Sequence, residues 1–382
     1  MAELHYDYII IGAGAAGLML ADTMSKDDFF SGKSILLLDK DLKQTNDRTW
    51  CFWEKGKGQF DDIVHKTWNH VYFAGKQFSK RFNINPYTYK MVRGIDFYNR
   101  ILKQIEKHPN IIFKKAHVTH VADNGDEVTV VTETDTYTGK NVFNSIFSYE
   151  MATHQNKYPV LQQHFIGWFV KTKKPIFDSD QATYMDFSIP QEGNTRFMYV
   201  LPTSENDALV EYTLFSEHLL PKAEYESAIE HYIANELGCS DYEIVDREMG
   251  SIPMTAYDFK EHHTKNIRFI GTAGGWAKPS TGYTFRSTAK KIPKLVAHIK
   301  TGQPLDTLNY KTKFWFYDLL FLDVLHKNNA GGYVVFETLF KNRKPQQVFK
   351  FLDEETSFAE DVANMMGSPK IRFIKALLGR LF

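Results

Sequence analysis

The chain has 382 residues, 43% of them hydrophobic, and carries 46 basic and 46 acidic side chains. That length allows two or three domains or one large two-domain enzyme with a sizeable core, and the balanced charge leaves no electrostatic footprint for nucleic acid. Two cysteines, Cys51 and Cys239, give neither a metal-ligand spacing nor a disulfide framework, which points to no metal and a reducing cytoplasm.

Asp7-Tyr8-Ile9-Ile10-Ile11 reads as a strand that runs into Gly12-Ala13-Gly14-Ala15-Ala16-Gly17 and then a helix. A polar break follows, then a second strand, Ile35-Leu36-Leu37-Leu38, closed by Asp39. Strand, G-x-G-x-x-G turn, helix, strand and acid about twenty residues on form the pattern of an adenine-dinucleotide site. Gly12 allows the tight turn, Gly14 lets a pyrophosphate approach the backbone, and Gly17 lets helix and strand pack closely. The helix N-terminus offers unpaired N–H groups to the phosphates, and Asp39 can accept hydrogen bonds from the ribose. Arg48 follows in a polar loop, where it reads equally as a phosphate or flavin contact and as a surface cation.

Residues 87–97 read as a strand entering a helix that continues through Ile101 and Ile105. Short strands at 111–113 and 128–131 follow, with Asn124-Gly125 as a hairpin turn, and 142–145 returns to the nucleotide sheet. From 158 to 255 the texture changes: 165–170, 183–187, 197–202 and 208–213 read as antiparallel strands, interrupted by a helix at 222–236. Residues 266–275 repeat the motif of a strand running into small residues, and 278–285 leads into another helix. Beyond 305 the chain is helical and aromatic. The expected organisation is a discontinuous dinucleotide-binding domain (1–157 with 256–304), an inserted sheet domain (158–255) and a helical C-terminal region (305–382). The aromatic share of 15% suits a long apolar or polyene ligand, and equally a packed core.

No run of about 20 apolar residues is present, so a membrane, if involved, is met at its surface. The segment 370–382 carries four basic and no acidic side chains, with apolar residues at 371, 374, 377, 378 and 381 on one helical face. It reads either as a helix lying in a membrane interface or as a terminal helix docked on the domain.

Taken together, these blocks resemble the flavoprotein lycopene β-cyclases of bacteria and plants, within the aromatic-hydroxylase-like FAD proteins. The matching stretches are the first glycine turn, Arg48-Thr49-Trp50-Cys51-Phe52, Met185-Asp186-Phe187, Tyr199-Val200-Leu201-Pro202, Val210-Glu211-Tyr212-Thr213 and Ile252-Pro253-Met254. To these are added Gly271-Thr272-Ala273-Gly274-Gly275 and Pro279-Ser280-Thr281-Gly282-Tyr283, the most specific block. The chain departs from the hydroxylase pattern twice, with Thr272 where many carry Asp and Asn144-Ser145 where many carry Asp-Gly.

The resemblance implies an α/β fold with a Rossmann-like FAD domain and an inserted antiparallel substrate sheet. It implies FAD, active in its reduced form, with NAD(P)H as reductant. The implied cofactor residues are Gly12, Gly14, Gly17, Asp39, Arg48, Arg93, Gly271, Thr272 and Gly282. The implied substrate is lycopene or a related carotenoid, met by a peripheral protein at the cytoplasmic face of the membrane. The implied chemistry is redox-neutral: an acid protonates a ψ end group, the cation is captured by the neighbouring double bond, and proton loss leaves a β-ring. Glu211 stands where the family places its acidic motif. Phe351-Leu352-Asp353-Glu354-Glu355-Thr356 resembles that motif in wording but lies outside its place, and Glu354 and Glu355 are expected on a charged first helical turn. Asp186 is a second candidate, as proton acceptor or as orienter of Glu211, and Glu248 a third. A monooxygenase or double-bond reductase on the same scaffold and a non-catalytic isoprenoid carrier are the competing readings.

Overall fold

The computed structural model describes residues 4–381. The chain folds as two compact units: Met1–Trp50 with Arg93–Tyr158 and Ala256–Lys313, and Cys51–Val92 with Pro159–Thr255 and Phe314–Phe382.

In the first unit, Leu4–Ile11 is the hub of a seven-stranded sheet. It pairs in parallel with Ile35–Asp39 on one side and Thr136–Asn144 on the other. Ile111–Lys115 and Ile267–Phe269 extend the parallel part, and the antiparallel strands Val128–Thr132 and Val118–Asp123 complete the sheet. Residues 35–38 have no exposed surface, so both faces of this strand are covered. That is why it reads as an unbroken apolar run instead of an alternation. The helix Ala15–Ser25 packs against Gly94–Ile105 and Phe285–Thr301.

The second unit is built on another seven-stranded sheet, in the order Tyr242–Thr255, Val160–Thr172, Asp207–Ser216, Thr195–Pro202, Gln181–Asp186, His70–Ala74 and Ser79–Asn83. One face is covered by the helix Lys222–Asn235, whose Tyr225, Ile229, Tyr232 and Ile233 pack on Ile166, Trp168, Met198, Val210, Tyr212 and Leu214. Aromatic residues dominate the packing of the C-terminal helices of this unit. Phe336 and Phe340 of Tyr333–Asn342 stack on Phe187 and Phe73, and Phe349 of Pro345–Leu352 stacks on Trp53. Trp53 belongs to Thr49–Lys55, one strand of a separate three-stranded sheet with Tyr87–Arg93 and Val64–Trp68.

The unit boundaries differ from the expected ones in two places. Residues 51–92 join the substrate sheet, because His70–Ala74 pairs in parallel with Gln181–Asp186 in the register Val71↔Ala182. The helices after 314 belong to the same unit. A pairing between segments more than a hundred residues apart leaves no local mark on either one, so composition alone assigned 51–92 to its sequence neighbour.

Candidate active site

Two groups of residues carry chemistry, one in each unit. In the first, Gly12 has φ +94°, and a Cβ on it would collide with Ser145 Oγ. A Cβ on Gly17 would collide with the Gly12 carbonyl, so helix and strand are as close as their backbones permit. Gly14 faces open space, with nothing within 4 Å of the position a Cβ would take. The helix it caps has neither a side-chain cap nor an acid in its first turn, which leaves the N-terminal donors available. Asp39 accepts from Ala13 N at 2.6 Å and Asp41 N at 2.8 Å, which fixes the carboxylate beside the turn. Its Oδ2 also faces Lys43 Nζ at 3.5 Å, while Oδ1 keeps a lone pair for a ribose hydroxyl.

The second small-residue turn is seated against the first helix: Gly271 has φ +60°, and a Cβ there would lie 2.9 Å from Ala16 Cβ. Thr272 follows in this turn, half-buried. Gly282, with φ +70°, donates its N–H to Lys278 O at 2.8 Å. Ser280 Oγ and Thr281 Oγ1 are buried, and among the described residues neither has a hydrogen-bond partner. An open glycine turn, an uncapped helix and orphaned hydroxyls in the Pro-Ser-Thr-Gly-Tyr loop fit a bound dinucleotide. Arg48 is exposed, donating to Asp47 O at 2.8 Å, while its own carbonyl accepts from Gly94 N at 2.7 Å. Arg93 is half-buried at the turn from Tyr87–Arg93 into the Gly94–Ile105 helix. The departure at Ser145 is structural, since its hydroxyl donates to Ile11 O at 2.8 Å and closes the first turn.

In the second unit, strand register decides which side chains meet, because cross-strand partners share a face. One row runs Tyr199↔Glu211↔Gly167↔Glu248 across four strands. Glu211 is 9% exposed and accepts from Thr213 Oγ1 at 2.6 Å. Its carboxyl also shares a hydrogen bond with Glu248. Burial, reinforced by the neighbouring Glu248, pushes Glu211 up to about 8. The Cys51 thiol, hydrogen-bonded to Tyr89, is pushed well above its usual range by desolvation and by these same two carboxyls. Rings surround the row: Tyr199 lies 6.2 Å from Tyr184, which lies 5.7 Å from Tyr89 and 6.0 Å from Phe340. A carboxyl held neutral at physiological pH among aromatic rings is equipped to donate a proton to a poor base.

Asp186 is not brought to Glu211. Its row, Asp186↔Met198↔Tyr212, lies on the opposite, helix-covered face. A register shift between Thr183 and Asp186 puts it there. Its oxygens accept from Ser188 N, Ser188 Oγ and Tyr232 Oη at 2.9, 2.6 and 2.8 Å. The roles of acceptor and of orienter expected for it give way to a structural one. Glu354 and Glu355 are exposed in the turn after Pro345–Leu352, with Glu354 at φ +62°, so the expected first helical turn is a helix end instead. The sequence reading ranked Glu248 only third and missed Cys51 and Gly167. A glycine between Ile166 and Trp168 was the available signal, since glycine inside a strand marks close approach.

The chain matches the family model described as lycopene cyclase protein over residues 7–378. It is 30% identical over 150 residues to a lycopene beta-cyclase from Paracoccus sp., covering 38% of each chain. It is 24% identical over 320 residues to a chromoplastic capsanthin/capsorubin synthase from Citrus sinensis, covering 77% of this chain. The matched stretches thus span 38% and 60% of these relatives' own lengths. Among solved structures, a flavoprotein/dehydrogenase from Cytophaga hutchinsonii superposes with a TM-score of 0.63 at 14% identity, covering 98% of this chain and 100% of that one. A geranylgeranyl bacteriochlorophyll reductase-like protein from Thermoplasma acidophilum gives 0.62 at 11%, covering 98% and 99%. The p-nitrophenol 4-monooxygenase of Pseudomonas putida gives 0.57 at 13%, covering 99% and 98%. The fold is that of the aromatic-hydroxylase-like flavoproteins, and the chain belongs to the lycopene cyclase family.

Proposed function

We propose that the protein is an FAD-dependent lycopene β-cyclase that uses Glu211 as its acid. The observation that carries this reading is a buried carboxyl on an aromatic sheet face, faced by a second carboxyl instead of a cation. The Glu211 proton passes to the terminal double bond of a ψ end group, whose π electrons form the new C–H bond and leave a tertiary cation. The neighbouring double bond attacks that cation and closes a six-membered ring. Loss of a ring proton then forms the β-ring, so the reaction consumes no proton and no electron. Faces of rings such as Tyr199 and Tyr184 stabilise positive charge. Residues Gly12, Gly14, Asp39, Thr272, Ser280 and Thr281 would hold FAD, with Arg48 and Arg93 as further contacts. Reduced FAD, kept so by NAD(P)H, supplies an electron-rich group that favours cationic chemistry. Glu211→Ala is expected to retain bound flavin and lose ring closure. Full cyclisation by that variant refutes the assignment.

The carotenoid would be met at a membrane surface, reached from the cytoplasm through the C-terminal helices. Among the described residues no helix is long and apolar enough to cross a membrane. The helix Lys370–Leu381 docks through Phe373, Ala376, Leu377 and Arg380, the last paired with Asp323 at 2.6 Å. Ile371, Ile374, Leu378 and Leu381 point outward, 48–71% exposed. On the preceding helix Phe358, Val362, Met365 and Met366 are exposed as well. Phe382, the end of the basic segment noted in the sequence, lies outside the described residues. Such a face, with Lys370 and Lys375 beside it, suits an anionic bilayer interface.

A further inference from the structure

We propose that Glu248 is the positioning partner of Glu211, and that the two carboxyls, brought together over Gly167, hold a single proton between them. The inference rests on the reading of Glu211 as the acid. Gly167 is the central position of the row, in register with Glu211 on one neighbouring strand and with Glu248 on the other. In a sheet the two strands flanking a central one are separated by about 9.5 Å. Carboxyls on them meet only by reaching across the position between. A side chain there would block the crossing: a Cβ on Gly167 would lie 3.3 Å from Glu211 Cβ, 3.4 Å from its Cγ and 2.8 Å from Leu209 Cδ1. The glycine is therefore the gap through which the pair forms.

The approach of the two carboxyls across Gly167 bears on their protonation. Ionised carboxylates are acceptors only, so two of them cannot hydrogen-bond to one another, and a bonded pair contains at least one proton. The groups facing Glu211 are Thr213 from its own strand, Tyr199 from the next strand, Glu248 across the glycine, and Cys51, whose thiol Tyr89 contacts from the small sheet. None of these bears a positive charge that would draw the last proton off. Removing it would set the buried Glu211 charge beside the like charge of half-buried Glu248, and that penalty keeps the donor loaded. Glu248 thus acts through Glu211, by setting the pH range in which the acid is armed.

The test is the pH dependence of kcat/KM for ring closure by the flavin-loaded enzyme under anaerobic conditions, in the wild type, Glu248→Gln and Gly167→Ala. Glu248→Gln keeps the shape and a hydrogen bond but removes the like charge. Its alkaline limb is expected to fall by about one pH unit or more. Gly167→Ala, which pushes the carboxyls apart, is expected to move the limb the same way. An infrared titration with carbon-13-labelled glutamate supplies a readout besides activity. The protonated-carboxyl band of the wild type persists at neutral pH, is absent in Glu211→Gln, and titrates at lower pH in Glu248→Gln. An alkaline limb and a band that stay put in both Glu248→Gln and Gly167→Ala overturn the proton sharing, while the assignment of Glu211 stands. Full activity of Glu211→Gln overturns that assignment instead.

Discussion

The two faces of the substrate sheet bury polar groups in opposite ways. On the helix-covered face the buried ionisable groups Asp186, His164 and Arg196 each meet complementary partners. Asp186 accepts from Tyr232 and Ser188, His164 lies between Ser216 and Tyr225 at 2.6 and 2.5 Å, and Arg196 binds Glu192 and Tyr212. On the aromatic face, one row over, Glu211 is set against Glu248, which disfavours its charge, and the two carboxyls in turn hold the Cys51 thiol protonated. A complementary network stabilises a fold; a frustrated one holds a proton ready. The contrast separates a structural carboxyl from a functional one when both are buried on neighbouring strands.

Breaking the aromatic face should cost activity, and the effect should be the largest of all. Glu211→Ala is expected to slow cyclisation by about 10²- to 10⁴-fold, the usual worth of a positioned acid, with flavin absorbance unchanged. Breaking the helix face should cost stability instead. Asp186→Ala leaves the Tyr232 hydroxyl and the Ser188 amide without their acceptor, and is expected to lower unfolding free energy by about 2–3 kcal/mol in urea denaturation.

The faces should also diverge with pH. Glu211, raised to about 8, stays protonated in the folded chain where the unfolded chain has already ionised. The native state then binds more protons, so this face loses stability as pH rises from about 5 to about 8, by at most about 1.4 kcal/mol per pH unit. His164, lowered to about 4 by burial, is neutral in the folded chain where the unfolded chain has gained a proton. That face loses stability as pH falls from about 6.5 to about 4. Melting curves across this range should show Glu211→Gln flattening the alkaline side only, and His164→Gln the acidic side only. A smaller effect is expected at the surface: Ile374→Glu with Leu378→Glu should weaken flotation with anionic vesicles about tenfold, leaving cyclisation of detergent-dispersed substrate unchanged.

Much of this was legible in the chain. Glycines with positive φ, a strand ending in Asp39 and a second small-residue turn are local signals, and the dinucleotide cradle follows from them. Glu211 stood out as a carboxyl in an apolar strand. The register did not show. That Glu211, Gly167 and Glu248 share a row depends on three strands aligning over more than eighty residues. A single register shift before Asp186 put that residue on the other face, although its sequence block looked as diagnostic as that of Glu211. Residues 51–92 were misplaced for a related reason, since the parallel pairing of His70–Ala74 with Gln181–Asp186 is a long-range event.

One experiment tests the central claim most directly. Purified protein with FAD reduced in situ is incubated anaerobically with lycopene in liposomes, and the product is read by mass and absorption spectrum, with Glu211→Gln alongside. An unchanged mass with a blue-shifted, ring-closed spectrum, lost in the variant, is the predicted result. A product that has gained hydrogen, or one that forms only when oxygen is admitted and has gained oxygen, would contradict the account and make the protein a reductase or a monooxygenase.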